Sequence, residues 1–127
     1  DMPVAEARAI LGSEAIIGAT VNSTEDILGH VHGSMPDYFG CGPFRFTTTK
    51  RRLAPTLGLD GYRAIMRQMR EAHISIPVVA IGGIAREDIA PLLECGVDGI
   101  ALSGSVLNSS NPISYMESIV DTIYSSR

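Results

Sequence analysis

"IPVVAIGGIAREDIAPLLECGVDGIALSG", Ile76 to Gly104, is the stretch on which the fold turns. It opens with a short run of apolar residues that does not alternate with polar ones, then reaches two glycines at Gly82 and Gly83. A helical segment follows, stopped by Gly96, and a second apolar run begins at Asp98. Strands that are apolar on both faces belong to parallel sheets covered by helices, whereas half-solvated antiparallel strands alternate. The stretch therefore reads as strand, crossover helix, parallel strand.

The same unit recurs outward in both directions. "AIIGATV" (Ala15–Val21) is a compact apolar run, and "NSTEDILGHVHG" after it offers Ser23 as a cap. Asp26 stands at the capping-box position, and Ile27, Leu28 and Val31 follow at helical spacing. "DYFGCG" (Asp37–Gly42) is a further strand. "LDGYRAIMRQMREAH" sets Tyr62, Ile65, Met66 and Met69 on a face opposite Arg63, Arg67 and Arg70. The chain closes on "NPISYMESIVDTIYSS", with Asn111 as N-cap and Pro112 in the first turn. Pro3–Leu11 adds a helix ahead of the first strand.

The expectation is a single α/β domain over 1–127, ordered α-(βα)4. Its strands are placed near 15–21, 37–42, 76–82 and 98–103. Four such units can form an open doubly wound sheet or half of an eight-unit barrel. In both, ligands gather where strands end, which singles out Thr20, Gly42 to Lys50, Gly82–Gly83 and Ser103–Gly104.

Composition narrows the function classes. The 127 residues are 45% hydrophobic and 19% charged, ordinary for a globular domain. A net charge of −4 gives no whole-molecule case for nucleic-acid binding, so Lys50, Arg51 and Arg52 stand against an acidic background. No run approaches the roughly 18 apolar residues of a membrane span, and no signal-peptide pattern opens the sequence. Cys41 and Cys95 match no zinc or redox spacing and suit buried thiols in a reducing, cytoplasmic setting. The first residue is Asp1 rather than a methionine, so the sequence reads as a cut or selected boundary.

The strand ends carry anion chemistry. "AIGGI" sets two residues without side chains where backbone N–H groups can approach an anion, although glycines can equally serve a tight turn. "LSGSVL" adds the hydroxyls and amides of Ser103, Gly104 and Ser105. In "GCGPFRFTTTKRR" (Gly40–Arg52), Thr47, Thr48 and Thr49 offer hydroxyls, and Lys50 offers an ammonium for phosphate oxygens; the alternative is a solvated polar loop. His30, His32 and His73 make weak catalytic candidates, and no Ser/His/Asp or Cys/His ordering suggests nucleophilic catalysis.

Taken together, "DMPVAEARAILG…IIGAT", "DYFGCGPFRFTTTK", "IPVVAIGGI" and "GVDGIALSGSV" resemble thiamine-phosphate synthases from Asp1 to about Pro112. The resemblance covers the second half of that family's eight-unit barrel, so it implies a fragment of four βα units from a TIM barrel. It also implies a transferase joining a pyrimidine methyl diphosphate to a thiazole phosphate, with release of diphosphate. Lys50 would hold the departing diphosphate, with Thr20 (where the family usually has serine) as a further contact to it. Thr47, Thr48 and Thr49 would lie by the thiazole phosphate, which Gly82, Gly83, Ser103 and Gly104 would cup. Asp1 would be one of two aspartates binding Mg²⁺.

The same resemblance implies that the fragment needs an N-terminal half to act. On its own it exposes two sheet edges, which self-association could also cover. Two rivals remain at this stage. A thiazole tautomerase relative would need a histidine where this sequence has Gly42-Pro43, and a non-catalytic phosphate-binding α/β module would have no reaction of its own.

Overall fold

The computed structural model describes residues 2–46 and 56–126. Their element order is α1 (Val4–Leu11), β1 (Gly18–Val21), α2 (Thr24–Val31), β2 (Tyr38–Cys41) and α3 (Gly58–Glu71). Then come β3 (Val78–Ile81), α4 (Arg86–Glu94), β4 (Gly99–Ala101), α5 (Gly104–Leu107) and α6 (Pro112–Ser125). The four strands are parallel and lie side by side in sequence order.

That order decides between the two architectures. A doubly wound sheet reverses its strand order and places helices on both faces. Here each crossover steps the same way, and right-handed crossovers then put every helix on one side. Burial agrees. Ala19, Val21, Phe39, Cys41, Val78 and Ala80 join the buried core with Ile27, Tyr62, Ile65, Ile89, Leu92 and Ile119 from the helices. Gly18, Thr20, Tyr38 and Ile81 lie exposed on the opposite face. The arrangement is an arc of a barrel, with one face covered and the other open.

The helices start where local chemistry favours it. Ser23 Oγ accepts from the Asp26 amide at the start of α2. The Asp26 carboxylate reaches the Asn22 amide, one residue short of the reciprocal capping-box bond expected from sequence. Asn111 Oδ1 caps α6 by accepting from Ser114, with Pro112 in the first turn as predicted. Tyr62, Ile65 and Met69 form the buried stripe of α3, with Met66 partly buried beside them.

The strands are shorter than the apolar runs. β1 begins at Gly18 rather than near Ala15, because the Ile17 amide is drawn to the Asp37 carboxylate at 2.7 Å and Ile16 is exposed. Likewise Val78 donates to Asp98 at 2.8 Å, so an acid just before each even strand clasps the start of the preceding one. Arg8 adds an ion pair to Asp37 at 2.8 Å.

The Arg8 and Ile17 hydrogen bonds hold the Asp37 carboxyl below the usual carboxylate range. A depressed native pKa stabilises the fold above the unfolded-state value near 4, and that contribution fades as pH falls through the native value. Asp37→Asn is therefore expected to flatten the acid limb of a stability-versus-pH curve below about pH 5. An unchanged acid limb, followed by denaturant midpoints at several pH values, would show that the clasp is not linked to folding.

Candidate anion site at the carboxyl ends of the strands

The open rim is built by cross-stitching between the loops that follow β2 and β3. Gly42 is buried and donates to Val21 O at 3.2 Å, holding the end of β2 on β1. Phe44 and Arg45 then both donate their amides to Gly82 O, at 3.0 and 3.1 Å. Leu57 donates to Pro43 O and Gly58 to Phe44 O, at 2.8 and 3.1 Å, so the far end of the loop returns to its beginning. Beneath it Tyr62, fully buried, donates its hydroxyl to Cys41 O at 2.5 Å and packs its ring 6.0 Å from Phe44.

The Gly82–Gly83 turn sits against this segment. Gly83 has φ +70°, and a Cβ there would lie 2.4 Å from Arg45 O. The glycines therefore answer a close backbone approach, which settles the structural half of the question the sequence left open. The other half follows from peptide geometry. In a trans peptide the C=O and the next N–H point in opposite directions. Gly82 O is held by Phe44 and Arg45, and Gly83 O by Arg45 Nη1 at 2.9 Å. The N–H groups of Gly83 and Ile84 consequently point away from the 44–45 segment, and no described residue accepts from either. Two adjacent amide donors with no acceptor among the described residues, beside a helix start, are what an anion requires.

Thr20 lies on the open face of the sheet. Its row runs Thr20, Gly40, Val79, Gly99, so its hydroxyl has a glycine as its neighbour on β2. Ser103 and Gly104 are exposed at the end of β4, where a short helix, α5, begins. A Cβ at Gly104 would meet only Asn108 Nδ2 at 3.8 Å, so the space in front of it is open. Ser105 Oγ is buried without a partner among the described residues, an orphaned donor facing a cost of about 1–3 kcal/mol.

Asp1, Thr47, Thr48, Thr49 and Lys50 lie outside the described residues. Thr20, Gly82, Gly83, Ser103 and Gly104 all fall at the carboxyl ends of their strands, the face on which barrels place ligands. The histidines sit elsewhere. His30 packs its ring 5.9 Å from Phe39 under the sheet, and His73 precedes β3. Burial pushes the Cys41 thiol up to about 12, with Asp26 adding to it, so this sulfur is a core group and no nucleophile. Among the described residues no group of three or more His, Cys, Asp or Glu could hold a metal ion.

Comparison with known proteins completes the assignment. The profile described as "Thiamine monophosphate synthase" matches residues 1–106. The chain belongs to the thiamine monophosphate synthase family. It is 55% identical over 121 residues to the thiamine-phosphate synthase of Phocaeicola vulgatus, covering 95% of this chain and 58% of that protein. It is 48% identical over 124 residues to that of Flavobacterium johnsoniae, again spanning 58% of it. Among solved structures, thiamine phosphate pyrophosphorylase from Pyrococcus furiosus superposes with a TM-score of 0.80 at 34% identity, over 99% of this chain and 56% of that one. The chain thus spans little more than half the length of its relatives, which agrees with a half-barrel of the thiamine monophosphate synthase fold.

Sequence reasoning missed Arg45 and Asp88. Arg45 pairs with Asp88 through two bonds, Nη1 to Oδ2 at 2.9 Å and Nη2 to Oδ1 at 3.1 Å. Asp88 Oδ2 also accepts from the Ala85 amide at 2.8 Å, capping α4 from its third position. Burial raises the Asp88 carboxyl, but the bonds from Arg45 and Ala85 outweigh it and hold it below the ordinary range. The acid three residues into a helix was a legible capping signal; its arginine partner, 43 residues away, was not.

Proposed function

We propose that this chain forms the thiazole-phosphate half of a thiamine-phosphate synthase, a transferase joining a pyrimidine methyl diphosphate to a thiazole phosphate. The observation that carries the proposal is the Gly82–Gly83 turn at the carboxyl end of β3, where the Gly83 and Ile84 amides have no acceptor among the described residues of a chain belonging to this family. In the reaction the C–O bond to diphosphate breaks first, and the thiazole nitrogen then bonds to the pyrimidine methylene cation so formed. The bonding electrons leave with diphosphate. Such a step calls for anion binding and alignment more than for a base, and the described rim offers donors rather than a base.

The Gly83 amide, with Gly82 behind it and Ser103 and Gly104 at the end of the neighbouring strand, would hold the thiazole phosphate and so aim the ring nitrogen. Thr47, Thr48 and Thr49 would flank that phosphate. Thr20 and Lys50 would receive the diphosphate, Lys50 as the catalytic cation that stabilises charge developing on the leaving group. Mg²⁺, held in part by Asp1, would neutralise further diphosphate charge when bound; the described residues do not assemble a site for it, and no step here depends on it. The substrates are small molecules, and the setting proposed is cytoplasmic. No helix among the described residues is long and apolar enough to cross a membrane.

The decisive test joins this chain to the N-terminal part of the Phocaeicola relative and assays thiamine phosphate directly. The chimera is expected to make product, and the 127-residue chain alone to make little or none. A folded chimera that binds both substrates without turnover would remove the synthase reading. Turnover by the chain alone at the chimera's rate would remove the need for a second half.

A further inference from the structure

The pairing of Arg45 with Asp88 and Gly83 has a geometry that surface ion pairs seldom show. One guanidinium nitrogen, Nη1, lies 2.9 Å from both Gly83 O and Asp88 Oδ2, while Nη2 takes the other carboxylate oxygen. Backbone and side chain of the same residue therefore grip the glycine turn. The Arg45 amide holds Gly82 O, and its guanidinium holds Gly83 O. The side chain also lies 5.0 Å over the Phe44 ring, which restricts its swing. Asp88 is the counterpart. It is 14% exposed, sits in the first turn of α4, and without Arg45 would present a bare carboxylate beside the turn whose amides face the rim.

We propose that Arg45 is a positioning residue for the phosphate-bearing substrate, aiming the Gly83–Ile84 amides and cancelling the Asp88 charge that would otherwise repel the anion. The inference rests on the reading of the Gly82–Gly83 turn as an anion site and goes beyond it by assigning the group that makes the turn receptive. Lysine cannot replace it, because a single ammonium lacks the fork that spans a carboxylate and a carbonyl together. The pair's role is in binding rather than stability. Ion pairs half open to solvent contribute little to folding, and Arg45 is 53% exposed.

The test titrates inorganic phosphate into the 127-residue chain, following the Gly83 and Ile84 amides by NMR, with a thermal melt of each variant alongside. Arg45→Ala is expected to weaken phosphate binding about tenfold with little change in melting temperature. Arg45→Lys should recover only part of the loss. Asp88→Asn keeps the Arg45 bond to Gly83 O and removes the negative charge, so it should bind within about twofold of the parent or tighter. Adding Asp88→Asn to Arg45→Ala should regain part of the lost affinity.

A parent chain that shifts with phosphate and an Arg45→Ala variant that shifts equally would overturn the positioning role and leave the anion site standing. A double variant as weak as Arg45→Ala would overturn the charge argument. If Arg45→Ala fails to fold, loss of binding in a folded Asp88→Asn variant overturns the proposal just as firmly. A parent chain whose Gly83 and Ile84 amides ignore phosphate would defeat the anion reading itself, and this inference with it.

Discussion

Tyr62→Ala is expected to lower the stability of the chain by about 4 kcal/mol, a large share of what a domain of this size holds in reserve. Tyr62 is fully buried in α3 and belongs to its core-facing stripe with Ile65 and Met69. The loss has two separable parts. Truncation removes buried ring area and leaves a cavity next to Phe44, and it removes the donor to Cys41 O. Tyr62→Phe isolates the second part and should cost only about 1–2 kcal/mol. Burial also raises the Tyr62 hydroxyl above its ordinary range, so it remains a donor across physiological pH. Urea midpoints for the two variants check the prediction. If Tyr62→Phe proves as damaging as Tyr62→Ala, the hydroxyl rather than packing holds α3 to β2.

The fold was legible because its signals are local and redundant. Each strand is an apolar run and each helix carries a cap or a stripe, so the order of elements survives errors in any one boundary. The boundaries themselves failed where a non-local bond intervened. Ala15 to Ile17 look like strand, yet the Ile17 amide goes to Asp37, twenty residues on, and the strand starts later. β3 is likewise trimmed at both ends, since Pro77 has no amide to give and Gly82 O turns to Phe44 and Arg45. The helix α5 is four residues long, too short for any periodicity to reveal. Whether the units closed an arc or an open sheet was not visible in hydropathy; strand order alone distinguishes them.

The site was legible by residue type and illegible by arrangement. Glycines and serines after strands mark a place where backbone donors can gather, and the structure puts Gly82, Gly83, Ser103 and Gly104 there. What orients them is a set of bonds between residues about forty positions apart, from Phe44 and Arg45 to Gly82 and Gly83. No periodicity connects such positions. The residues that touch a ligand can thus be suspected from local chemistry, while those that hold the ligand-binding groups in place come only from the fold.

Gly83→Ala should show how tightly that arrangement is drawn. Its added Cβ would lie 2.4 Å from Arg45 O and 3.0 Å from Arg45 C, both backbone atoms that cannot swing aside. A non-glycine residue at φ +70° adds roughly 1–2 kcal/mol of its own, and forced separation of packed backbone about 1–3 more, so a loss of about 2–4 kcal/mol is expected. Relief of the clash can come only by moving the 44–45 segment away. That movement breaks the bonds to Gly82 O and Gly83 O together and frees the amides to rotate. Stability and phosphate affinity should therefore fall in one step. Gly104→Ala provides the contrast, because its Cβ meets nothing closer than Asn108 Nδ2 at 3.8 Å. Its denaturant midpoint should stay close to the parent's, while phosphate affinity falls if an anion occupies the space in front of it. Were Gly83→Ala to keep both its stability and its affinity, the close contact between the two loops would not be what aims the turn.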